Sequence, residues 1–179
     1  MSAQSLTLRK IYVVDTSYLL ELFKVDGNYT KSSAEEIKKR FLQAGEAGDL
    51  VFVPLPCIYE LGNHIADVRD GTRRRELAYE KVLPIVKQCI NDNMPWTITP
   101  ATGIKRLSEL WDKFANEYIH YTKRDDNCGS IGLVDAAIIY EAKRLKEEYK
   151  KRISKVHIWT KDTILKPHEP DEEPNPFVN

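Results

Sequence analysis

Four carboxylates stand out for the company they keep. Asp15 interrupts "IYVVDTSYLLELF", between two apolar runs, and Asp135 sits in "IGLVDAAIIY" between Val134 and Ala136. Glu60 lies in "PCIYELGNHIADVRD", and Asp162 closes "IWTKD". An unpaired carboxylate in apolar surroundings is heavily penalised, so each of these acids needs a reason to be there. If they meet, they repel and raise one another's pKa unless a cation sits among them. Hard divalent cations such as Mg²⁺ and Mn²⁺ take oxygen ligands, and Mg²⁺ keeps several waters while using one or two carboxylates. Such a site suits phosphodiester hydrolysis, because the metal polarises the phosphoryl oxygen and acidifies a bound water. No serine or cysteine nucleophile is required.

Simpler roles exist for each acid taken alone. Asp15 also fits the N-cap of a helix that follows a strand. Glu60 fits a solvated helix position, and Asp162 fits the start of a turn. Asp135 has few innocent partners among Leu133, Val134, Ala136 and Ala137. His64, four residues after Glu60 on the same helical face, reads as structural before it reads as a ligand. Arg73, Arg74 and Arg75 offer bidentate donors to RNA phosphate, or simply a solvated helix start. Asp125 and Asp126 read as a solvated loop, His157 as structural, and Trp96, Trp111 and Trp159 as core packing.

The elements that must position the acids follow from apolar patterning. "KIYVV" (10–14) reads as a short buried strand without polar alternation, and "DLVFVP" (49–54), "WTITP" (96–100) and "KVHIWT" (155–160) read as the second, third and fourth strands. Between them, "SYLLELF" starts a helix with Thr16 or Ser17 as N-cap, and "KSSAEEIKKRFLQAGEAG" forms another, capped by Ser32 or Ser33 and ended at Gly45 or Gly48. "PCIYELGNHIADVRD" carries a helical stripe of Ile58, Leu61, Ile65 and Val68. A helix from Thr72 to about Asn91 contains Pro84, which should kink or split it. Pro100 opens a further helix, "KRDDNCGS" reads as a loop, and "IGLVDAAIIYEAKRLKEEYKKR" is an amphipathic helix.

Strands alternating with helices predict an α/β fold, a three-layer α/β/α sandwich with a mostly parallel central sheet. Short crossovers then gather the strand C-termini on one edge, where such sheets place ligands. Asp15 and Asp162 belong on that edge, Glu60 hangs over it, and Asp135 lies in the N-terminal turns of its helix.

At 179 residues the chain fits one domain with a real core. No stretch reaches the roughly 18 apolar residues of a membrane span. "MSAQSLTLRK" has no apolar segment ahead of its basic pair, so no secretory signal is expected. Cys57, Cys89 and Cys128 form no CxxC pair, which favours a reducing, cytoplasmic compartment over a disulfide framework or a zinc site. Net charge is zero, but the tail holds Glu169, Asp171, Glu172 and Glu173, leaving the body with 27 basic against 23 acidic residues. A modestly basic body attracts polyanions. Residues 1–166 read as the domain, and 167–179, rich in proline and acid, as a disordered tail.

With the motifs in hand, "VVDTSYLLELF", "VPLPCIYELGNHI", "GLVDAAIIYEAKRL" and "VHIWTKD" resemble, in order and spacing, the four acidic motifs of PIN-domain ribonucleases, and the VapC-like toxin branch most. The resemblance covers roughly residues 10–166. It implies a PIN-like fold and a Mg²⁺- or Mn²⁺-dependent endoribonuclease in which Asp15, Glu60, Asp135 and Asp162 hold metal. Thr16 or Ser17 and Thr160 would orient the carboxylates or a bound water. Attack by metal-activated water would leave a 3′-hydroxyl and a 5′-phosphate. An RNA substrate, an antitoxin partner and a homodimer are implied too. The chain departs from the compact toxins in extra helix around 71–95 and in the acidic tail.

Two other readings belong to different classes: a non-catalytic PIN-fold RNA-binding or scaffold protein, and a PIN-like nuclease acting on DNA. The first strand is not followed by a glycine-rich phosphate loop. Ser17 stands where a haloacid-dehalogenase-type phosphotransferase needs a second aspartate.

Overall fold

The computed structural model describes residues 9–99, 104–118, 131–150 and 154–177. Four strands, β1 (Lys10–Val14), β2 (Leu50–Pro54), β3 (Thr97–Thr99) and β4 (Lys155–Trp159), form one sheet in the order β3-β2-β1-β4. Every pairing is parallel, with Ile11 opposite both Leu50 and Val156, and Val13 opposite both Phe52 and Ile158. β1 is buried along Ile11–Val14, as an inner strand covered on both faces must be. The architecture is α/β, a parallel sheet flanked by helices, as the alternation of elements predicts.

Helix α1 (Thr16–Leu22) packs on α2 (Lys31–Ala47) and α3 (Leu55–Ala66), while α7 (Leu133–Glu148) lies across β1, β2 and β4. On the α2 side, Tyr12 stacks on Trp159 at 4.0 Å and Phe41 meets the same indole edge-on at 5.2 Å. Toward α7, that helix supplies buried Ala136, Ile139 and Ala142. Trp96 and Trp159 are core residues as expected, whereas Trp111 is 49 % exposed, resting edge-on against Phe114. Among the described residues no helix is long and apolar enough to cross a membrane.

Helix boundaries shift by a residue or two for identifiable reasons. The N-cap of α1 falls on Asp15 itself, so the hydroxyls of Thr16 and Ser17 are free for other partners. Thr30, ahead of the expected serines, caps α2 by accepting the Ser33 N–H, and Gly48 ends it at φ 69°, a conformation glycine adopts without strain. Pro84 does split its helix: α4 (Gly71–Arg75) runs into a π-helical stretch, Glu76–Val82, before α5 (Leu83–Asp92) restarts with Pro84 in its first turn. A widened turn tolerates the carbonyl that proline leaves without a donor. The helix expected from Pro100 is described from α6 (Ile104–Lys113) onward, followed by π-helical Phe114–Tyr118. The "KRDDNCGS" loop, with Asp125, Asp126 and Cys128, lies outside the described residues. Cys57 and Cys89 are buried free thiols.

The acidic tail lies along the sheet, tied to β4 by its carboxylates. β4 is an edge strand, and Val156, Ile158 and Thr160 turn their outward backbone groups away from β1. An uncovered edge is a liability. Here residues 166–177 form a strap along it, starting with a 3₁₀ turn at Lys166–His168. Ile158 N–H donates to Glu169 Oε2 (3.0 Å) and Val156 N–H to Asp171 Oδ2 (2.7 Å), while Asp171 N–H returns to the Val156 carbonyl (3.1 Å). Lys166 Nζ donates to the Ile158 carbonyl and to Glu169. Composition alone reads as a solvated tail; the acids instead serve as acceptors that a neighbouring strand would otherwise provide.

Candidate functional site

From β1 the chain adds β2 and β3 on one side and β4 on the other, so the strand order switches sides between β1 and β4. In open parallel sheets such a switch opens a crevice at the carboxyl ends of the strands. Asp15 follows β1 directly and is 6 % exposed. Asp162 lies just past β4, Glu60 one turn into α3 after β2, and Asp135 in the first turn of α7. All four therefore reach the edge the sequence assigns to them.

Asp15 is held by a bracket from the β4 exit. Ser17 Oγ–H and Thr160 Oγ1–H both donate to its Oδ2, at 2.5 and 2.7 Å. Each hydroxyl in turn accepts a backbone N–H from that exit: Ser17 Oγ from Lys161 (3.0 Å) and Thr160 Oγ1 from Asp162 (2.9 Å). Burial pushes the Asp15 carboxyl up from its ordinary range, and the hydroxyls of Ser17 and Thr160 pull the other way. Thr16 Oγ1 donates to Glu60 Oε2 at 2.5 Å, tying α1 to α3. Asp162 Oδ1 accepts the N–H groups of Ile164 and Leu165 and so shapes the turn after β4.

Asp135, at the third position of α7, takes the N–H of the N-cap Gly132 on Oδ2 at 2.7 Å, the one half of a capping box that a glycine N-cap allows. Its carboxyl is pushed up to about 6, first by burial and then by the negative charges of Asp15, Asp162 and Glu60. The same crowding reaches Cys57, whose thiol is raised by burial and further by Asp15 and Glu60. Asp135 thus lies in the field of the other three acids. Among the described residues none of the four forms an ion pair with a lysine, arginine or histidine.

These are hard oxygen donors with excess negative charge, a set that fits Mg²⁺ or Mn²⁺ in kind. Among the described residues no three His, Cys, Asp or Glu side chains form a ready-made metal cluster. Each acid is turned toward a neutral donor of its own: Asp15 to Ser17 and Thr160, Glu60 to Thr16, Asp135 to Gly132, Asp162 to Ile164.

Other expected residues fall elsewhere. Arg73 gives its donors to Asp26, Glu76 and the Lys24 carbonyl, and Arg74 reaches the Ala66 carbonyl. Arg75 is exposed. His157 is structural, stacked beside Tyr12 and donating from Nδ1 to the Asp171 carbonyl (2.8 Å). His64 sits half-buried in the last turn of α3.

Two residues beside the site escape a motif reading. Glu21 is fully buried, takes the Thr30 N–H on Oε2 and pairs with Lys161, the residue between Thr160 and Asp162. An acid set inside "LLELF" was a visible signal; its partner 140 residues away was not. Asn175 reaches the Thr160 carbonyl from the strap, and nothing in its local sequence marks it. No family model matches the chain, and no curated protein matches its sequence.

Proposed function

We propose that the protein is a Mg²⁺- or Mn²⁺-dependent endoribonuclease of the PIN type that hydrolyses RNA phosphodiester bonds. The observation that carries the reading is the convergence of Asp15, Glu60, Asp135 and Asp162 on one sheet edge with, among the described residues, no cationic side chain paired to them. A bound divalent ion would supply Lewis-acid polarisation of the phosphate and a more acidic water. The chain's own part is to present oxygen ligands from Asp15, Glu60, Asp135 and Asp162. Ser17 and Thr160 fix the orientation of Asp15, and Thr16 that of Glu60, as partners of ligating carboxylates commonly do.

The toxin role, an antitoxin partner, a homodimer and a cytoplasmic setting are finer parts of the same reading and stand on the motif resemblance and the cysteine pattern. The test is cleavage of single-stranded RNA, with DNA alongside, in Mg²⁺ or Mn²⁺ and again in EDTA. RNA cleavage that stops in EDTA and in Asp15→Asn and Asp135→Asn supports the reading. Full activity in either variant defeats the mechanism, and preferential DNA cleavage moves the protein to the DNA-nuclease reading.

A further inference from the structure

Along the outer edge of β4, alternate residues find partners in the strap or in α7. Lys146 Nζ takes the Ser154 carbonyl, Asp171 pairs with Val156, and Glu169 and Lys166 serve Ile158. The series does not stop where the strand does. Asn175 Nδ2–H donates to the Thr160 carbonyl at 3.1 Å. Thr160 is the residue whose hydroxyl donates to Asp15 and accepts the Asp162 N–H, so this bond falls on the pivot of the candidate site.

The strap is built to hold Asn175 in place. Glu173 Oε2 accepts from Arg40 Nη2 (2.6 Å) and Trp159 Nε1 (3.3 Å), with Lys10 Nζ 3.5 Å from its other oxygen. Arg40 lies over the Trp159 ring at 4.8 Å and donates to the Tyr18 hydroxyl. Beyond Asn175, Phe177 N–H donates to Asn175 Oδ1 (3.0 Å), and the Phe177 ring meets Tyr18 edge-on while Lys161 Nζ sits 5.8 Å from its centre. Asn175 is thus fixed from both sides, one carbonyl away from the ligand bracket.

Resting on the metal-nuclease reading above, we propose that Asn175 is a positioning residue of the metal site: its amide pins the Thr160 carbonyl and so aims the Thr160 hydroxyl at Asp15. The backbone at Thr160 has two tasks that must agree, carrying the hydroxyl to Asp15 and delivering the N–H of Asp162 to that hydroxyl. With the carbonyl released, the peptide plane between Thr160 and Lys161 keeps the Lys161 N–H on Ser17 but loses its second anchor and can tilt about the first. The bracket then loses its register, although the strap remains anchored by Glu173.

The test is Mn²⁺ binding followed by calorimetry and by the Mn²⁺ electron paramagnetic resonance spectrum, on the full chain well below its melting temperature. Asn175→Asp keeps the acceptor for Phe177 N–H and loses the donor to Thr160, while exposed Glu172→Gln serves as the control. Loss of a partner that orients a metal ligand costs about ten-fold or more in affinity, so Asn175→Asp should bind Mn²⁺ about ten-fold more weakly with an altered spectrum. Asn175→Ala should do the same without adding a charge, and the control should bind as wild type. A merely structural role would lower the melting temperature and leave the folded protein's Mn²⁺ affinity unchanged, and that outcome overturns the proposal. Wild-type protein that binds no Mn²⁺ defeats the nuclease reading itself, and this inference falls with it.

Discussion

The protein carries two sets of acids beside the same strand, and they are treated in opposite ways. Along the outer edge of β4, Glu169, Asp171 and Glu173 each meet a cation: Lys166 at 2.7 Å, Lys146 at 2.7 Å and Arg40 at 2.6 Å. Burial works against ionisation of Asp171 and Glu173, yet Lys146 and Arg40 outweigh it and hold both carboxyls below their ordinary range. At the carboxyl end of the sheet, Asp15, Glu60, Asp135 and Asp162 meet, among the described residues, hydroxyls and backbone N–H groups, and Asp15 and Asp135 are pushed up. One acidic set is thus neutralised by the chain's own lysines and arginine, while the other, among the described residues, meets neutral donors, with Asp135 crowded by the remaining three.

The largest effect expected from breaking this contrast is chemical. Asp15→Asn should lower metal-dependent RNA cleavage by about a thousand-fold, on the order of 4 kcal/mol in the barrier. Removing a strap acid such as Glu172, which is exposed, should leave the rate near wild type. Equal losses from both would erase the distinction between the two sets.

Next comes the structural set. Arg40 and Glu173 form a nearly buried pair, with side chains 12 % and 13 % exposed. Removing one member of such a pair leaves a buried charge, so Arg40→Met should cost about 3 kcal/mol in denaturant unfolding. The low end of the usual range applies because Lys10 stays near Glu173. A loss below about 1 kcal/mol would place the pair among ordinary surface contacts.

The smallest effect concerns pH. The folded-state carboxyl of Asp135 lies near 6, above the ordinary aspartate value. Between about pH 4 and 6 the folded state binds more protons than the unfolded one, so stability falls as pH rises through that window. Asp171 and Glu173 give the opposite slope: their contribution is present above the ordinary carboxylate range and is lost as pH falls through their lowered values. In metal-free buffer at pH 7, Asp135→Asn should therefore stabilise the protein by about 1 kcal/mol, after discounting for solvent screening. Melting curves at pH 4 and pH 7 check the sign. A variant equally destabilised at both would show that Asp135 acts through its capping bond alone.

Most of the fold was legible because it rests on local patterns. Uninterrupted apolar runs give the four strands, and Glu60 and Asp135 could be placed because their helices follow or precede identifiable strands. Asp135 was the clearest member of the site, since Leu133, Val134, Ala136 and Ala137 leave its carboxylate few innocent partners, whereas Asp15 alone reads equally well as an N-cap. What stayed hidden is information about neighbours in space. The strap reads as disordered because prolines and acids bury little apolar surface. Its role depends on β4 being the edge of the sheet, a property of strand order that periodicity does not carry. Lys161 and Asn175 escaped for the same reason. Arg73, by contrast, was conspicuous in sequence and is occupied by Asp26 and Glu76.

Thr160 lies 145 residues along the chain from the Asp15 carboxylate that it brackets. On its other side, β1 meets β2 through a contact spanning 39 residues, Lys10 to Asp49. Closing the longer loop costs more entropy, and distant pairings are slow to form. The β1–β2 side is therefore expected to assemble first, with β4 docking afterwards. Pulse-labelled hydrogen exchange would contradict this order if the Asp15 amide, which donates to the Trp159 carbonyl, gained protection no later than the rest of β1. On this order a partly folded chain can own a sheet, a core and three of its four acids, yet lack the hydroxyl of Thr160 and the carboxylate of Asp162. The acidic set is then completed in a single late step of folding, and is broken by the same route whenever that one strand lets go.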